Sequence, residues 1–214
     1  MREEGKTYSE ILREVKVSKS SLSLWLREVG LAKEQKQAIT EKRIAARLRA
    51  LESIRRNKIK RVKDIKDLAK SEVPKLVKDP FWLTGLVLYW GEGAKEHAQA
   101  SPVKFTNMNL EMHRVFLSWV RKYLSAPEDK IFFELFIHEK ADVVTAQKYW
   151  AQNLGFSRDK LKTYFKRHNP KTKRKRIGED YYGVLSLRIL GSIPLNRKIA
   201  GWIEGVVVLL GVAN

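Results

Sequence analysis

The run Phe81-Trp82-Leu83-Thr84-Gly85-Leu86-Val87-Leu88-Tyr89-Trp90-Gly91-Glu92-Gly93 restricts the fold of this chain more than any other segment. Apolar on every side over about three helical turns, such a helix has to be buried on most of its surface. Its single charge, Glu92, stands at the end between two glycines. Gly93 is expected to take the left-handed C-cap conformation, which tolerates no ordinary Cβ, and so to stop the helix. The carboxylate would then sit on a buried element but at its exposed rim, a position suited to holding a metal ion. Whether Glu92 does so separates an enzyme from a binding protein.

Charge narrows the partner. The 214 residues carry 43 Lys and Arg against 24 Asp and Glu, a net charge of +19. Polyanions are the natural partners of such a surface, and nucleic acid is the commonest. A hydrophobic content of 43% points to a folded protein. With no cysteine there is no disulfide framework and no thiolate zinc site. The chain opens on polar residues, Met1-Arg2-Glu3-Glu4, rather than an apolar leader, so an intracellular, cytoplasmic location at the nucleoid is expected. The apolar run from Gly205 to Val212 is far short of the roughly 20 residues a membrane span needs, and reads as a buried helix end.

Composition divides the chain into residues 1–31, 32–78 and 79–214. In the first region Thr7-Tyr8-Ser9-Glu10 has capping-box spacing and should start a helix with Ile11, Leu12 and Val15 on its apolar side. Ser18 should cap a second helix, with Leu22, Trp25 and Leu26 on one face. Two short helices joined by a tight turn follow the helix-turn-helix plan. The segment from Gly5 to Leu26 resembles the DNA-binding helix-turn-helix of resolvase-like and transposase-like proteins. That resemblance implies that the second helix enters the major groove and that Lys19, Ser20, Ser21 and Ser23 meet bases and phosphates.

The second region lacks glycine and is rich in Lys and Arg, with Ile44, Leu48, Leu51, Ile59, Val62, Ile65 and Leu68 as an interrupted apolar stripe. Arg55 and Lys58 break the heptad, which argues against a long coiled coil. A solvated linker helix is expected, its basic face able to track a phosphate backbone.

From Asp79-Pro80 onward, helical and strand patterns alternate. Helices are expected at Phe81–Glu92, Leu110–Leu124, Val143–Leu154 and Leu195–Leu210. Strands are expected at Val103–Asn107, Ile131–His138, Tyr164–His168 and Tyr182–Leu190. The fold class is α+β: helices on one face of a small antiparallel sheet, the other face free. Lys104, Lys166, Arg167 and Arg188 fall on the strands, and the loop bearing Lys171, Lys173, Arg174, Lys175 and Arg176 lies at one end; all are candidate DNA contacts. Tyr164, Phe165, Tyr181 and Tyr182 alternate within strands, where core packing is expected over base stacking.

The motif Leu88-Tyr89-Trp90-Gly91-Glu92-Gly93, followed by Phe105-Thr106-Asn107, resembles the LAGLIDADG homing-endonuclease fold, in the divergent bacterial branch whose motif reads LYxGEG. The resemblance spans roughly residues 80–210 and implies a saddle-shaped sheet lying in the major groove of double-stranded DNA. It also implies that motif helices of two copies pack together, so that terminal acids at the interface hold divalent metals. Glu92 is then the catalytic, Mg²⁺-binding acid, and the 81–92 helix the face of a homodimer. Val87 stands where the family's helix-contact glycine would be, which leaves Gly85 for close approach. Lys104, Arg188 and Lys198 are candidates for a supporting cation.

A sporulation-regulator family joins a similar domain to a helix-turn-helix and acts in transcription. The expected function is therefore a double-stranded DNA-binding protein, regulatory or recombination-associated. The alternatives are a Mg²⁺-dependent homodimeric endonuclease and an RNA-binding maturase. His97, His113, His138 and His168 have neither zinc nor HNH spacing, and no phosphate-cradling glycine loop is present.

Overall fold

A computed structural model describes residues 1–29, 33–95, 101–166 and 180–212, with the backbone alone over 33–39. The chain divides into two compact units, Met1–Lys60 and Arg61–Asn214.

The first unit is helical. In α1 (Tyr8–Glu14), the Glu10 amide donates to Thr7 Oγ1 at 3.2 Å and the Thr7 amide donates to Glu10 Oε2 at 2.7 Å, which closes the expected capping box. The bond from the Thr7 amide, followed by that from the Thr7 side chain, holds the Glu10 carboxyl below its usual range. Ser18 caps α2 (Lys19–Trp25), its Oγ accepting from the Ser21 amide at 3.0 Å. Ile11 and Leu22 are buried between these helices. Trp25, expected on the apolar face, is 62% exposed, and Leu24 beside it is 68% exposed. Seven residues make barely two turns, and Leu22 is the one residue of α2 that is buried. The long helix α3 spans Lys33–Leu76, and the division between the units falls inside it. Over residues 40–60 every position is exposed, Ile44, Leu48 and Leu51 included.

The second unit begins with the remainder of α3, so the expected linker over 32–78 is shared between the two units. Ala69 and Val73 are buried, and two glycines of the closing helix α7 (Ile193–Leu209) take them in. A methyl on Gly201 would lie 2.8 Å from the Ala69 Cβ and from the Lys66 backbone; one on Gly205 would lie 2.7 Å from Val73. Asp79 then caps α4 (Pro80–Glu92), accepting from the Phe81 amide at 2.9 Å, with Pro80 at the first helical position where no N–H is needed.

Helix α4 is buried along Trp82, Gly85, Leu86 and Tyr89. Gly85 lies against the indole of Trp119, whose Nε1–H donates to the Trp82 carbonyl at 2.9 Å. The expectation that Gly85 offers close approach to a second copy is corrected by this contact: the space is filled from within the chain. Gly93 is also corrected. It ends the helix in extended conformation, φ −77° and ψ 160°, rather than left-handed. It bridges to Phe105, and its missing side chain admits the Tyr89 ring, 2.6 Å from where a Cβ would stand at Cγ. A strand-like bridge sets the backbone here, and the glycine serves packing.

Helix α5 (Leu110–Trp119) runs into a π-helical turn, Val120–Leu124, that closes on Ser125 with φ 47°. The wider turn aims Tyr123 and Lys122 at the cap of α4: both donate to Asp79, Lys122 at 3.2 Å. The Tyr123 bond foremost pushes the Asp79 carboxyl down to about 2.

Four strands complete the unit: β1 (Lys104–Asn107), β2 (Ile131–His138), β3 (Leu161–Lys166) and β4 (Val184–Ile189), in the order β1-β4-β2-β3. β4 is antiparallel to both neighbours, but β2 and β3 are parallel. The sheet is therefore mixed, not antiparallel as expected. Helix α6 (Val143–Leu154) supplies the crossover that a parallel pair requires. Ile131, Phe133, Leu135, Leu185 and Leu187 point into a core with Trp82, Trp119, Trp150 and Trp202, all fully or nearly fully buried. Among the described residues no helix is long and apolar enough to cross a membrane.

Candidate nucleic-acid interface

Strand alternation puts a second set of side chains on the opposite face of this sheet. The register fixes their rows. Lys104 (β1), Arg188 (β4) and Phe132 (β2) stand side by side; the next row is Thr106, Ser186, Glu134 and Lys162. Val184, Phe136 and Tyr164 follow, and then His138 with Lys166. Four cations thus share one face with one carboxylate. Lys162 and Lys166 are exposed, and Lys104 and Arg188 keep 34% and 43% of their side-chain surface.

Glu134 lies at the centre, 12% exposed in its side chain. Lys104 reaches it across the intervening β4, with Nζ 2.8 Å from Oε2; Arg188 Nη1 is 3.4 Å from Oε1. That span is possible because β4 carries a small residue at the crossing point. Ser186 is fully buried, its hydroxyl 2.8 Å from that of Thr106. Burial works to raise the Glu134 pKa, but the Lys104 hydrogen bond and the two cationic charges outweigh it, and the carboxyl titrates below its usual range. Beside this cluster Phe136 and Tyr164 stack across the strands, centroids 5.1 Å apart and 12° from parallel. The ammonium groups of Lys104 and Lys162 lie 5.5 and 5.0 Å from those two rings.

The sequence expectations distribute unevenly over this geometry. Lys104, Arg188 and Lys166 do come together on one face. Glu134, Lys162, Thr106 and Phe136 belong with them and were not anticipated. Tyr164, expected in the core, faces outward, and Phe165 is 59% exposed. Arg167, Lys171, Lys173, Arg174, Lys175 and Arg176 lie outside the described residues, as do His97 and His168. On α2, Lys19, Ser20 and Ser23 are exposed and Ser21 half-buried; the Ser20 and Ser21 hydroxyls are 2.7 and 2.8 Å from Ser18 Oγ.

His113 is wholly buried, edge-on to Phe105 and Trp150, with Nε2 3.2 Å from the Asn107 carbonyl; burial pushes its pKa down to about 4. It is a core residue. His138 is half-buried on the sheet's outer face.

Glu92 is exposed at the end of α4 and has neither a hydrogen bond nor an ion pair among the described residues. Lys95 caps the carbonyls of Trp90 and Gly91 instead, a favourable place for a cation at a helix C-terminus. Lys198 is held by Glu72 at 3.1 Å, so none of the candidate supporting cations pairs with Glu92. Among the described residues no three His, Asp or Glu side chains converge on one point. Comparison with protein-family models, with curated proteins and with solved structures finds no match to this chain.

Proposed function

We propose that this chain is a double-stranded DNA-binding protein of regulatory or recombination-associated type, which lays the outer face of its C-terminal sheet along the duplex. The observation that carries the reading is the placement of Lys104, Lys162, Lys166 and Arg188 on one sheet face against the lone Glu134. The net charge of +19 supports it. The resolvase-like helix pair supplies a second contact through Lys19, Ser20, Ser21 and Ser23. The test is a salt titration of duplex binding. Each phosphate contact contributes about 0.9 to the slope of log K against log salt, so Lys162→Ala with Lys166→Ala should lower the slope by about 2. An unchanged slope sinks the assignment of this face. Stronger binding to structured RNA than to duplex in competition would move the reading to an RNA-binding maturase.

A second reading has an observation in its favour. The outward stripe of α4 carries Thr84, Val87 and Gly91, with open space around Gly91 and an exposed Glu92 at its end. A homodimer through this stripe would bring two carboxylates together, the donor number Mg²⁺ needs beside phosphate oxygens. Glu92 would then hold the ion, whose chemistry is phosphodiester hydrolysis, as in the LAGLIDADG-type endonucleases the motif resembles. Incubation of the protein with a randomised plasmid library and Mg²⁺, followed by sequencing of ends, decides it. Cleavage lost in Glu92→Gln supports the nuclease; duplex binding without ends excludes it.

A further inference from the structure

We propose that Arg188, oriented by Glu134, reads the O6 and N7 edge of one guanine in the major groove; this rests on the duplex-binding reading. Of the cations on the face, Arg188 is the one with a planar donor fork, and most of that fork is unused. Its bond to Glu134 is long, 3.4 Å to Oε1, and the other carboxylate oxygen is taken by Lys104 at 2.8 Å. Its Nε is buried and has no acceptor among the described residues. Yet 43% of the side chain stays exposed, on a central strand of the sheet rather than an edge.

A guanidinium that is held at Nη1 and buried at Nε, with its outer edge toward solvent, is suited to a base more than to a phosphate. A phosphate accepts from almost any direction, and the exposed Lys162 and Lys166 serve it. The guanine edge presents two acceptors in one plane, and only a held fork meets both at once. Glu134 supplies the hold. It also neutralises one of the two neighbouring charges, which keeps the centre of the face from gripping phosphate indiscriminately. Lys104 stays with Glu134, its stem across Ser186 and its ammonium near the Phe136 ring. Glu134 is thus a positioning residue, and Arg188 the specificity-determining one.

The experiment uses the full chain and the duplex it enriches from a randomised pool. Each guanine of that duplex is replaced in turn by 7-deazaguanine, which lacks the N7 acceptor, and binding is read by fluorescence anisotropy at fixed salt. The wild type should lose about fivefold or more at one guanine, the scale of a good bidentate contact. Arg188→Lys should bind that duplex about tenfold more weakly and be indifferent to the same replacement. Glu134→Gln, with a near-ultraviolet circular dichroism spectrum like the wild type's, should bind unselected duplex at least as well and lose the guanine preference. The inference is overturned if Arg188→Lys keeps the preference and its 7-deaza sensitivity, or if the wild type binds duplex with a normal salt slope and no guanine matters. Absence of salt-dependent duplex binding in the wild type would instead bring down the duplex reading itself, and this inference with it.

Discussion

Two alanine substitutions on one helix should move stability in opposite directions. At Gly85 a new Cβ would overlap Cδ1 and Cγ of Trp119 and come within 2.6 Å of its Nε1. Alanine is favoured over glycine in a helix interior by about 1 kcal/mol, so the intrinsic term is stabilising. Against it stands overpacking, worth about 1–3 kcal/mol. The indole cannot yield without strain, because it is fully buried, is wedged edge-on against Trp202, and donates to the Trp82 carbonyl. Shifting it far enough to break that buried bond adds about 1–3 kcal/mol. The net expectation for Gly85→Ala is a loss of about 1–5 kcal/mol from the second unit. At Gly91 nothing lies within 4 Å of the added methyl, and only the propensity term remains. Gly91→Ala should therefore gain a few tenths to about 1 kcal/mol. Urea unfolding followed by tryptophan fluorescence reports on this unit, since Trp82, Trp119, Trp150 and Trp202 are buried in it. A Gly85→Ala midpoint equal to the wild type's would refute the packing argument, as would a loss at Gly91 of the same size. Adding Trp119→Leu to Gly85→Ala should recover part of the loss, because residues in contact couple non-additively.

His113 should make the second unit acid-sensitive. Its ordinary pKa of 6.5 is lowered to about 4 in the fold by burial. Between those values the unfolded chain binds a proton that the folded chain refuses, so stability falls as pH drops from 6.5 to about 4 and levels off below, by about 3 kcal/mol in all. Urea midpoints across that range should slope less steeply in His113→Leu than in the wild type; parallel slopes would count against the assignment. At the α3–α7 crossing, Gly201→Ala sets a methyl 2.8 Å from the Lys66 backbone, which has no rotamer to give, and should lower stability by about 1–3 kcal/mol in the same assay. Tyr123→Phe removes the leading cause of the low Asp79 pKa, so an NMR titration should find that carboxyl moved from about 2 toward 3.8, and no movement would mean the hydroxyl does not reach it.

Most elements of the second unit were legible because each is local. The 3.6-residue recurrence gave α6 as Val143–Leu154, and the apolar strand gave β2 as Ile131–His138, both as observed. What failed was set by partners far along the chain. Strand direction depends on which neighbour a strand joins, and nothing within Leu161–Lys166 records that it runs parallel to β2. The glycines failed for the same reason. Gly85 was read for close approach by a second copy and Gly93 for what a glycine lets its own backbone do, yet both are required by a ring that packs over them, Trp119 in one case and Tyr89 in the other.

The candidate site follows the same division. Lys104 and Arg188 were found from their place on strands, but Glu134 is invisible as a partner until the order β1-β4-β2 is known, because Lys104 meets it only by crossing Ser186. One local signal did exist. A single acid in the apolar strand Ile131–His138 must either be buried with a cation or lie on an outer face, and it does both. A glutamate on an outer, basic face that is nonetheless tied by two cations is costly for blind polyanion attraction, since it removes positive charge where the face is centred. That expense is hard to account for on a surface meant to grip any phosphate backbone equally. It is accounted for on one that must fix the direction of an arginine before the duplex arrives. On the proposed duplex-binding reading, the motif helix that dominates the sequence bears on Glu92 alone, whereas the proposed guanine reading by Arg188 depends on one unadvertised carboxylate in β2.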